Sequence, residues 1–533
     1  MSDVLNAAGV LLAAAAGAAA ILLPPGRLRA AAMLLALVLF PALILGDRWH
    51  SHQIVDLRDH PARLAGLGAA ALVAGAALAA AFRRWPRLLP LAIVFALPFR
   101  VPLHAGGDTA NLLVPLYLVI AGGVLALAVR DLRSRPAGEA PDRTVPAATG
   151  PAGRLPLVLA AVVVLYALQA LYSPDFSKSL QNVCFFFVPF SLVYALLRDV
   201  SWDRKLLALV LWVVALEGVV FVLVGSIEYA SRNLFWNPEV IRSNEFHTYF
   251  RVNSVFWDPN IYGRWLALAI VLAMAALLWA RERRNLALLV GLVAVLWLGL
   301  VPTFSQSSFI ALLVGLAVLG ALRWSWRWAL GGIAAFAVLA VLVVLLSGSA
   351  SRISFSRLNI DTSGRAHLVS GGLRLFSQRP LYGYGAGSFP RAYKEHAMKK
   401  RRAPVSVSHT EPITVAAEQG VIGLIAYAAL LITALWTMSS GLFVSRAGGA
   451  AGGTAPEEAS ATAGGGGSPA ATGPARPAVL AVFLALLAHT MAYAGFFEDP
   501  IAWVLLAVGA SLAAVPRSAP PHSLDPCRAT SAA

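Results

Sequence analysis

Charge is what this chain of 533 residues has little of. Only 13% of its residues are Asp, Glu, Lys or Arg, roughly half the share of a soluble protein. Together with 59% hydrophobic residues and a mean hydropathy of +0.72, this excludes a soluble multidomain enzyme and a disordered chain. Cysteine is almost absent, and Cys184 and Cys527 make no disulfide framework. Acid is scarcer than base, 26 residues against 42, which leaves a net charge of +16. In so apolar a chain that excess concerns the side of a membrane it occupies, and no nucleic-acid partner is expected.

What the chain has is apolar runs of membrane-crossing length. The expected fold is all-α, a polytopic transmembrane helix bundle of about 14–15 spans with a large helical extracytoplasmic loop. The runs lie near 4–23, 28–46, 64–82, 88–103, 111–129, 155–172, 180–197, 206–225, 259–280, 286–304, 307–322, 328–346, 412–436, 478–495 and 500–515. No basic segment precedes 4–23, so it reads as a span rather than a signal peptide. The run 88–103 is short and carries Pro90, Pro98 and Pro102, which predicts a broken or tilted segment.

Short loops with Arg83, Arg84 and Arg87, with Arg204 and Lys205, or with Arg281, Arg283 and Arg284 alternate with loops 104–110, 173–179 and 496–499, nearly devoid of Lys and Arg. The positive-inside pattern puts the basic set in the cytoplasm, the N-terminus outside and the C-terminus inside. The chain then divides into N-terminal spans (1–225), an aromatic outer loop (226–258), central spans (259–346), a basic outer loop (347–411), C-terminal spans (412–515) with a Gly/Ala-rich cytoplasmic linker (445–477), and a disordered tail (516–533). An even number of spans separates the two outer loops, so they share a face.

Loop 347–411 holds eleven basic residues against three acidic ones, a net +8 and half the charge of the whole chain. A solvated surface touching lipid headgroups is one reading; an anion site is the sharper one, because scattered Arg suits bidentate phosphate binding. Asp361, Thr362 and Ser363 offer a helix N-cap and Pro380 a stop, with Leu368, Gly372, Leu375 and Phe376 at helical spacing between them. That predicts an amphipathic helix on the membrane surface. Arg365 falls in its first turn, where a cation opposes the helix dipole, a poor place for a structural Arg and a reasonable one for an Arg aimed at phosphate. Gly383, Gly385 and Gly387 let the backbone turn tightly or approach a ligand.

The loop closes on His409, Thr410 and Glu411, with Pro412 in the first turn of the next span. Glu418 lies seven residues further, about 10 Å down a helix; a carboxylate at that depth marks a functional site or a structural ion pair. His409 with Glu411 fits no standard metal site, so no metal is expected. In the other outer loop, Phe235, Trp236, Phe246, Tyr249, Phe250, Phe256 and Trp257 read as an aromatic belt or as sugar-stacking rings. Arg251 lies just outside the following span, with Asn260 and Arg264 just inside it; Arg264 either snorkels or meets a ligand. Glu217 and His489 read as packing or pairing residues.

Several of these stretches, in this order, resemble the O-antigen ligase/O-antigen polymerase family. They are Asp361-Thr362-Ser363-Gly364-Arg365, Leu381-Tyr382-Gly383-Tyr384-Gly385-Ala386-Gly387-Ser388-Phe389, Ser408-His409-Thr410 and Ala417-Glu418-Gln419-Gly420, with Phe256-Trp257-Asp258-Pro259-Asn260 and Ser305-Gln306-Ser307-Ser308 opening two spans. The likeness covers roughly residues 250–430. It implies a glycosyltransferase of the cytoplasmic membrane, acting on its outer face without cofactor, metal or nucleotide sugar. Its donor would be a polyprenyl-diphosphate-linked glycan and its acceptor a glycan, lipid or protein, with membrane lipids around it.

The implied roles are these. His409 takes the acceptor proton, Arg365 and Arg251 hold the diphosphate with Arg264, and Glu418 orients His409 or an Arg. Asn260, Gly383, Gly385, Gly387 and Arg391 complete the substrate site, and one displacement inverts the anomeric carbon. Gln306 stands where the family often has Arg, and Thr410 where Asn usually follows the His. The alternatives are a polymerase of the same family and a transporter or flippase of lipid-linked glycans. Polar residues gathered at one face, without internal repeats, favour an enzyme.

Overall fold

The computed structural model describes residues 2–49, 59–105, 108–133, 151–235, 249–325, 365–397, 408–440 and 474–514, with positions 51, 55, 237, 240, 241, 244, 327, 331 and 442 between them. Apolar composition drives nearly every element into a helix, because a helix satisfies its backbone polar groups internally. In chain order these are α1 (Ser2–Leu22), α2 (Arg27–Asp47), α3 (Pro61–Arg84), α4 (Leu88–Ala96), α5 (Val114–Arg133), α6 (Pro151–Ala170), α7 (Phe176–Leu197), α8 (Arg204–Ser231) and α9 (Pro259–Trp279). They continue with α10 (Arg283–Leu300), α11 (Gln306–Arg323), α12 (Arg365–Gln378), α13 (Glu411–Ser439), α14 (Ala475–Thr490) and α15 (Pro500–Ala514).

Among the described residues 11 helices are long and apolar enough to cross a membrane, and α14 and α15 are shorter apolar helices. The chain is a multi-pass, all-α membrane protein. The expected span 328–346 apart from position 331, the N-cap at 361–363, the basic run 399–402, the linker 445–477 as far as 473 and the tail 516–533 lie outside the described residues; α14 begins at Ala475, within the expected linker.

The run 88–103 departs from a plain span. Its helix, α4, lasts nine residues, and beyond Pro98 the chain forms an antiparallel hairpin pairing Val101 with Leu112 and Ala105 with Asp108. The segment still links the two ends of the bundle. Arg87 pairs at 2.6 Å with Asp203, beside Arg204, while Arg100 interacts with Asp499 at the other end. Pro98 and Pro102 supply no N–H, so the backbone leaves the helix before its top.

The loops between helices segregate by charge. Arg83, Arg84, Arg87, Arg204, Lys205, Arg281, Arg283, Arg284 and Arg323 gather at one end. The other end carries the starts of α9, α11, α13 and α15 and the end of α14; the candidate site is there, and we call it the site end.

The expected surface helix is α12, which starts at Arg365 and stops two residues before Pro380. Its apolar face, Leu368, Gly371, Gly372 and Leu375, is buried. With Tyr384, Phe389, Ala392, Tyr393, Ala397 and Ala417 it forms a small second core. The glycines are needed for contact: a Cβ on Gly371 would stand 2.2 Å from the Tyr393 ring.

Candidate functional site

Two constructions occupy the site end. The first is a docked turn. Helix α13 breaks at Gly420, whose φ of 65° belongs to the left-handed region. A Cβ there would lie 2.4 Å from the Leu381 carbonyl oxygen. The break frees backbone groups inside an apolar bundle, and residues 380–389 satisfy them. Tyr384 N–H donates to Ala417 O at 3.1 Å, Gly385 N–H to Glu418 O at 2.7 Å, and Val421 N–H to Pro380 O at 2.7 Å.

The Glu418 side chain completes the joint, accepting Gly387 N–H at 2.8 Å on Oε2 and Phe389 N–H at 2.9 Å on Oε1. Glu418 therefore does not reach His409 or an Arg, contrary to the role expected for it. Its oxygens are taken up by the turn.

The glycines of that turn serve the same joint. Gly383 N–H donates to Arg379 O, so the N–H groups of Gly383, Gly385 and Gly387 are all committed within the protein. A Cβ on Gly385, at φ 100°, would meet Ser173 Cα at 2.5 Å. The tight-turn reading fits, and a substrate-binding role for the three N–H groups does not. Arg391 is about half exposed, pairs with Glu395 at 3.0 Å and donates to the Pro174 carbonyl oxygen.

The second construction gathers cations around a histidine. Loop 251–257 is pinned by Glu228 of α8, which accepts Asn253 N–H at 3.1 Å and Ser254 N–H at 2.7 Å. That fixes Arg251, whose Nε donates to Thr303 O at 2.9 Å and Nη2 to Asn260 Oδ1 at 3.2 Å. Both partners are neutral. Burial lowers the Arg251 pKa, the nearby Arg365 adds to the shift, and Asp258 opposes it.

Asp258 caps α9 through Asn260 N–H at 2.6 Å and accepts the Tyr493 hydroxyl at 3.2 Å. The Tyr493 ring packs against both His409 and His489, with centroids 5.9 Å and 5.7 Å away. His489 is fully buried and shares a hydrogen bond of 3.1 Å with Ser307, in the Ser305–Ser308 cluster that opens α11.

His409 sits at φ 63°, held between Ser408 and the start of α13. Ser408 is buried and bonds Thr414 Oγ1 at 2.8 Å and Thr410 O at 2.8 Å, which fixes the strained residue between them. His409 Nδ1 is buried without a hydrogen-bond partner. Burial, then the positive charge of Arg365, hold its imidazole below the ordinary pKa of histidine. At neutral pH it is uncharged and able to accept a proton. Glu411 does not contact it; its carboxylate accepts Gly495 N–H at 2.7 Å and Phe496 N–H at 3.1 Å.

Arg264 is not a free cation. It forms a buried ion pair with Asp499 at 2.8 Å. Arg100 interacts with the same Asp499, which opposes the lowering of its pKa by burial. Arg100 and Asp499 escaped the sequence reading. The only hint of Asp499 was the pair Glu498-Asp499 directly before Pro500 in an outer loop without Lys or Arg, and Arg100 hid among prolines. Gln306 is exposed on the first turn of α11 and leaves no cation there.

The structure thus brings together Arg365, Arg251, Asn260 and His409, with Arg264 and Arg100 alongside. Arg100 and Arg264 share Asp499, Arg251 lies near Asp258, and Arg365 lies near Arg251 and His409. Arg365 has no ion-pair partner among the described residues, where no group of three His, Cys, Asp or Glu is placed to hold a metal.

Such a cluster fits an anion beside a proton acceptor. Residues 291–428 match the family model of the O-antigen ligases. The matched segment is about a quarter of the chain and contains Arg365, the glycine turn, Arg391, His409 and Glu418. Arg251, Asn260, Arg264, Tyr493 and Asp499 of the same cluster lie outside it. No curated protein matches the chain. The O-antigen ligase resemblance is borne out over this segment, and with it a glycosyltransferase-like role in polysaccharide biosynthesis at a membrane.

Proposed function

We propose that this chain transfers a glycan from a polyprenyl diphosphate carrier to an acceptor hydroxyl on the outer face of the cytoplasmic membrane. The observation that carries this reading is a pair of guanidiniums, Arg365 and Arg251, that form no ion pair among the described residues, beside the unpartnered nitrogen of His409. Two part-buried guanidiniums without a carboxylate pair favour an anion, and a diphosphate supplies one.

The reaction follows from the groups at hand. The acceptor oxygen forms a bond to C1 of the donor sugar. The bond from C1 to the diphosphate oxygen breaks, and its electron pair leaves with the diphosphate. Arg365 and Arg251 face the charge that grows on that leaving group, the kind of electrostatic stabilisation that dominates many barriers. Arg264 contributes less than expected, because Asp499 already neutralises it. The acceptor proton passes to His409, which is neutral before reaction. A single displacement of this kind inverts C1, and no step requires a metal or a nucleotide sugar. Glu418 and the glycine turn hold α12, and with it Arg365, against α13. The basic residues gathered at the opposite end support an extracytoplasmic site end.

The test is turnover by the purified protein in nanodiscs with a polyprenyl-diphosphate-linked glycan and candidate acceptors. With no gradient across the disc, the enzyme releases free polyprenyl diphosphate in step with glycosylated acceptor. Movement of intact donor across liposomes, without bond cleavage, would instead make the protein a transporter.

A further inference from the structure

A histidine base is ordinarily oriented by a hydrogen bond to the ring nitrogen that does not take the proton. His409 lacks one, since its Nδ1 is buried without a partner. What its imidazole meets instead is the ring of Tyr493, with centroids 5.9 Å apart and planes at 57°. That separation lies inside the range of about 4.5–7 Å in which aromatic rings attract one another.

Tyr493 is itself held from three directions. It continues the chain one turn past α14, and its N–H donates to His489 O at 3.0 Å. Just beyond it, Gly495 and Phe496 give their N–H groups to Glu411, two residues after His409, which latches the two segments together. Behind the tyrosine ring lies that of His489, centroids 5.7 Å apart; His489 is fully buried and bonded to Ser307 of α11 at 3.1 Å. At the far end of the ring the hydroxyl donates to Asp258 Oδ2 at 3.2 Å. Asp258 Oδ1 accepts Asn260 N–H, and Asn260 Oδ1 accepts Arg251 Nη2. One side chain thus connects the imidazole to the residues that place Arg251.

We propose that Tyr493 is the positioning residue of the base: its ring sets the angle of the His409 imidazole, and its hydroxyl, tied to Asp258, keeps that ring in register with Arg251. This role presupposes the proposed transfer reaction, in which His409 takes the acceptor proton. It carries a signature in pH. The charged groups that act on His409 are Arg365 of α12, which disfavours the protonated ring, and Asp258 at the start of α9, which favours it. Glu411 of α13 is engaged by backbone N–H groups, and His489 of α14 lies behind the tyrosine. Removing the Tyr493 hydroxyl leaves one Asp258 oxygen without its donor and its charge less offset, so the protonated imidazole gains.

The experiment follows release of free polyprenyl diphosphate from a polyprenyl-diphosphate-linked glycan by the full-length protein in nanodiscs, beside direct binding of that donor. Tyr493→Phe keeps the ring and loses the tie to Asp258, so its acid-side fall in kcat/KM should begin at higher pH than in the wild type. Tyr493→Leu loses the ring, and kcat should fall roughly 100-fold, the cost of misplacing a reacting group by about 1 Å, with donor binding unchanged. In a chain that already carries His409→Gln, Tyr493→Leu should cost nothing more, because it acts through the missing imidazole. A Tyr493→Phe profile that superimposes on the wild type overturns the proposal. So does a loss of donor binding in Tyr493→Leu that accounts for its lost transfer. A further large loss in the double variant overturns the positioning role and leaves the reaction standing. Wild-type transfer by His409→Gln alone, or no release by the wild type, overturns the reaction and this role with it.

Discussion

Glu418→Gln separates a structural carboxylate from a catalytic one. Both oxygens of Glu418 accept backbone N–H groups, from Gly387 at 2.8 Å and Phe389 at 2.9 Å, in a buried joint. The glutamine amide offers one acceptor oxygen and one NH₂. One of the two N–H groups then faces a donor, and the other keeps a neutral acceptor. A hydrogen bond to a charged group contributes about 1.5–3 kcal/mol, and an unsatisfied buried donor costs about 1–3 kcal/mol. The substitution should therefore destabilise the protein by roughly 2–4 kcal/mol. The assay pairs thermal unfolding in detergent with transfer per folded molecule at low temperature. The account predicts a clearly lowered melting temperature and transfer within a few-fold of wild type. A variant that melts with the wild type but loses transfer a hundred-fold would refute it, and would return Glu418 to the chemistry.

Arg365→Lys keeps the charge but loses the planar fork, so it should lower kcat more than donor affinity, read by steady-state kinetics beside direct donor binding. The pH dependence has a defined sign: burial and Arg365 lower the His409 pKa, so kcat/KM should hold level from pH 8 down to about 6.5 and fall only below it. Bound diphosphate adds negative charge near the ring, so the fall in kcat should begin at higher pH than the fall in kcat/KM; the reverse order would argue against a diphosphate beside His409. Ser231 and Ser377 are exposed in the two site-end segments. Single cysteines placed there, in a chain lacking Cys184 and Cys527, should both react with an impermeant thiol reagent in intact cells, and labelling of only one would break the shared face.

The helices were legible wherever one run decided them. A long apolar stretch forms a helix whatever its neighbours do, so α9 and α13 begin and end near their predicted bounds, while α8 runs on to Ser231, six residues past the expected end. Helix α12 was readable for the same local reason, with Arg365 at its first turn and Pro380 behind its end. What was hidden depended on partners distant in the chain. A lone Gly420 in an apolar helix gives no sign that its φ is positive, because the break exists only where Leu381 and Tyr384 dock against it. Glu418 read as a functional carboxylate for the same reason: the N–H groups it accepts belong to another segment. Arg264 read as a possible ligand because Asp499, its ion-pair partner, comes hundreds of residues later. Arg251, Arg365 and His409 were each singled out on local grounds, and the fold brings them together. Tyr493, which joins Asp258 to His409, carried no signal of its own.

The most direct test of the account is His409→Gln. Gln can fill the volume and hydrogen-bond, but it accepts no proton at neutral pH. General-base assistance contributes about 10²–10⁴-fold. The variant should fold at normal levels and bind the diphosphate-linked donor as the wild type does, because Arg251 and Arg365 are untouched. Its transfer rate, measured by release of free polyprenyl diphosphate, should drop by a factor in that range. Transfer at the wild-type rate with the donor bound would contradict the account and leave the cationic cluster without its base.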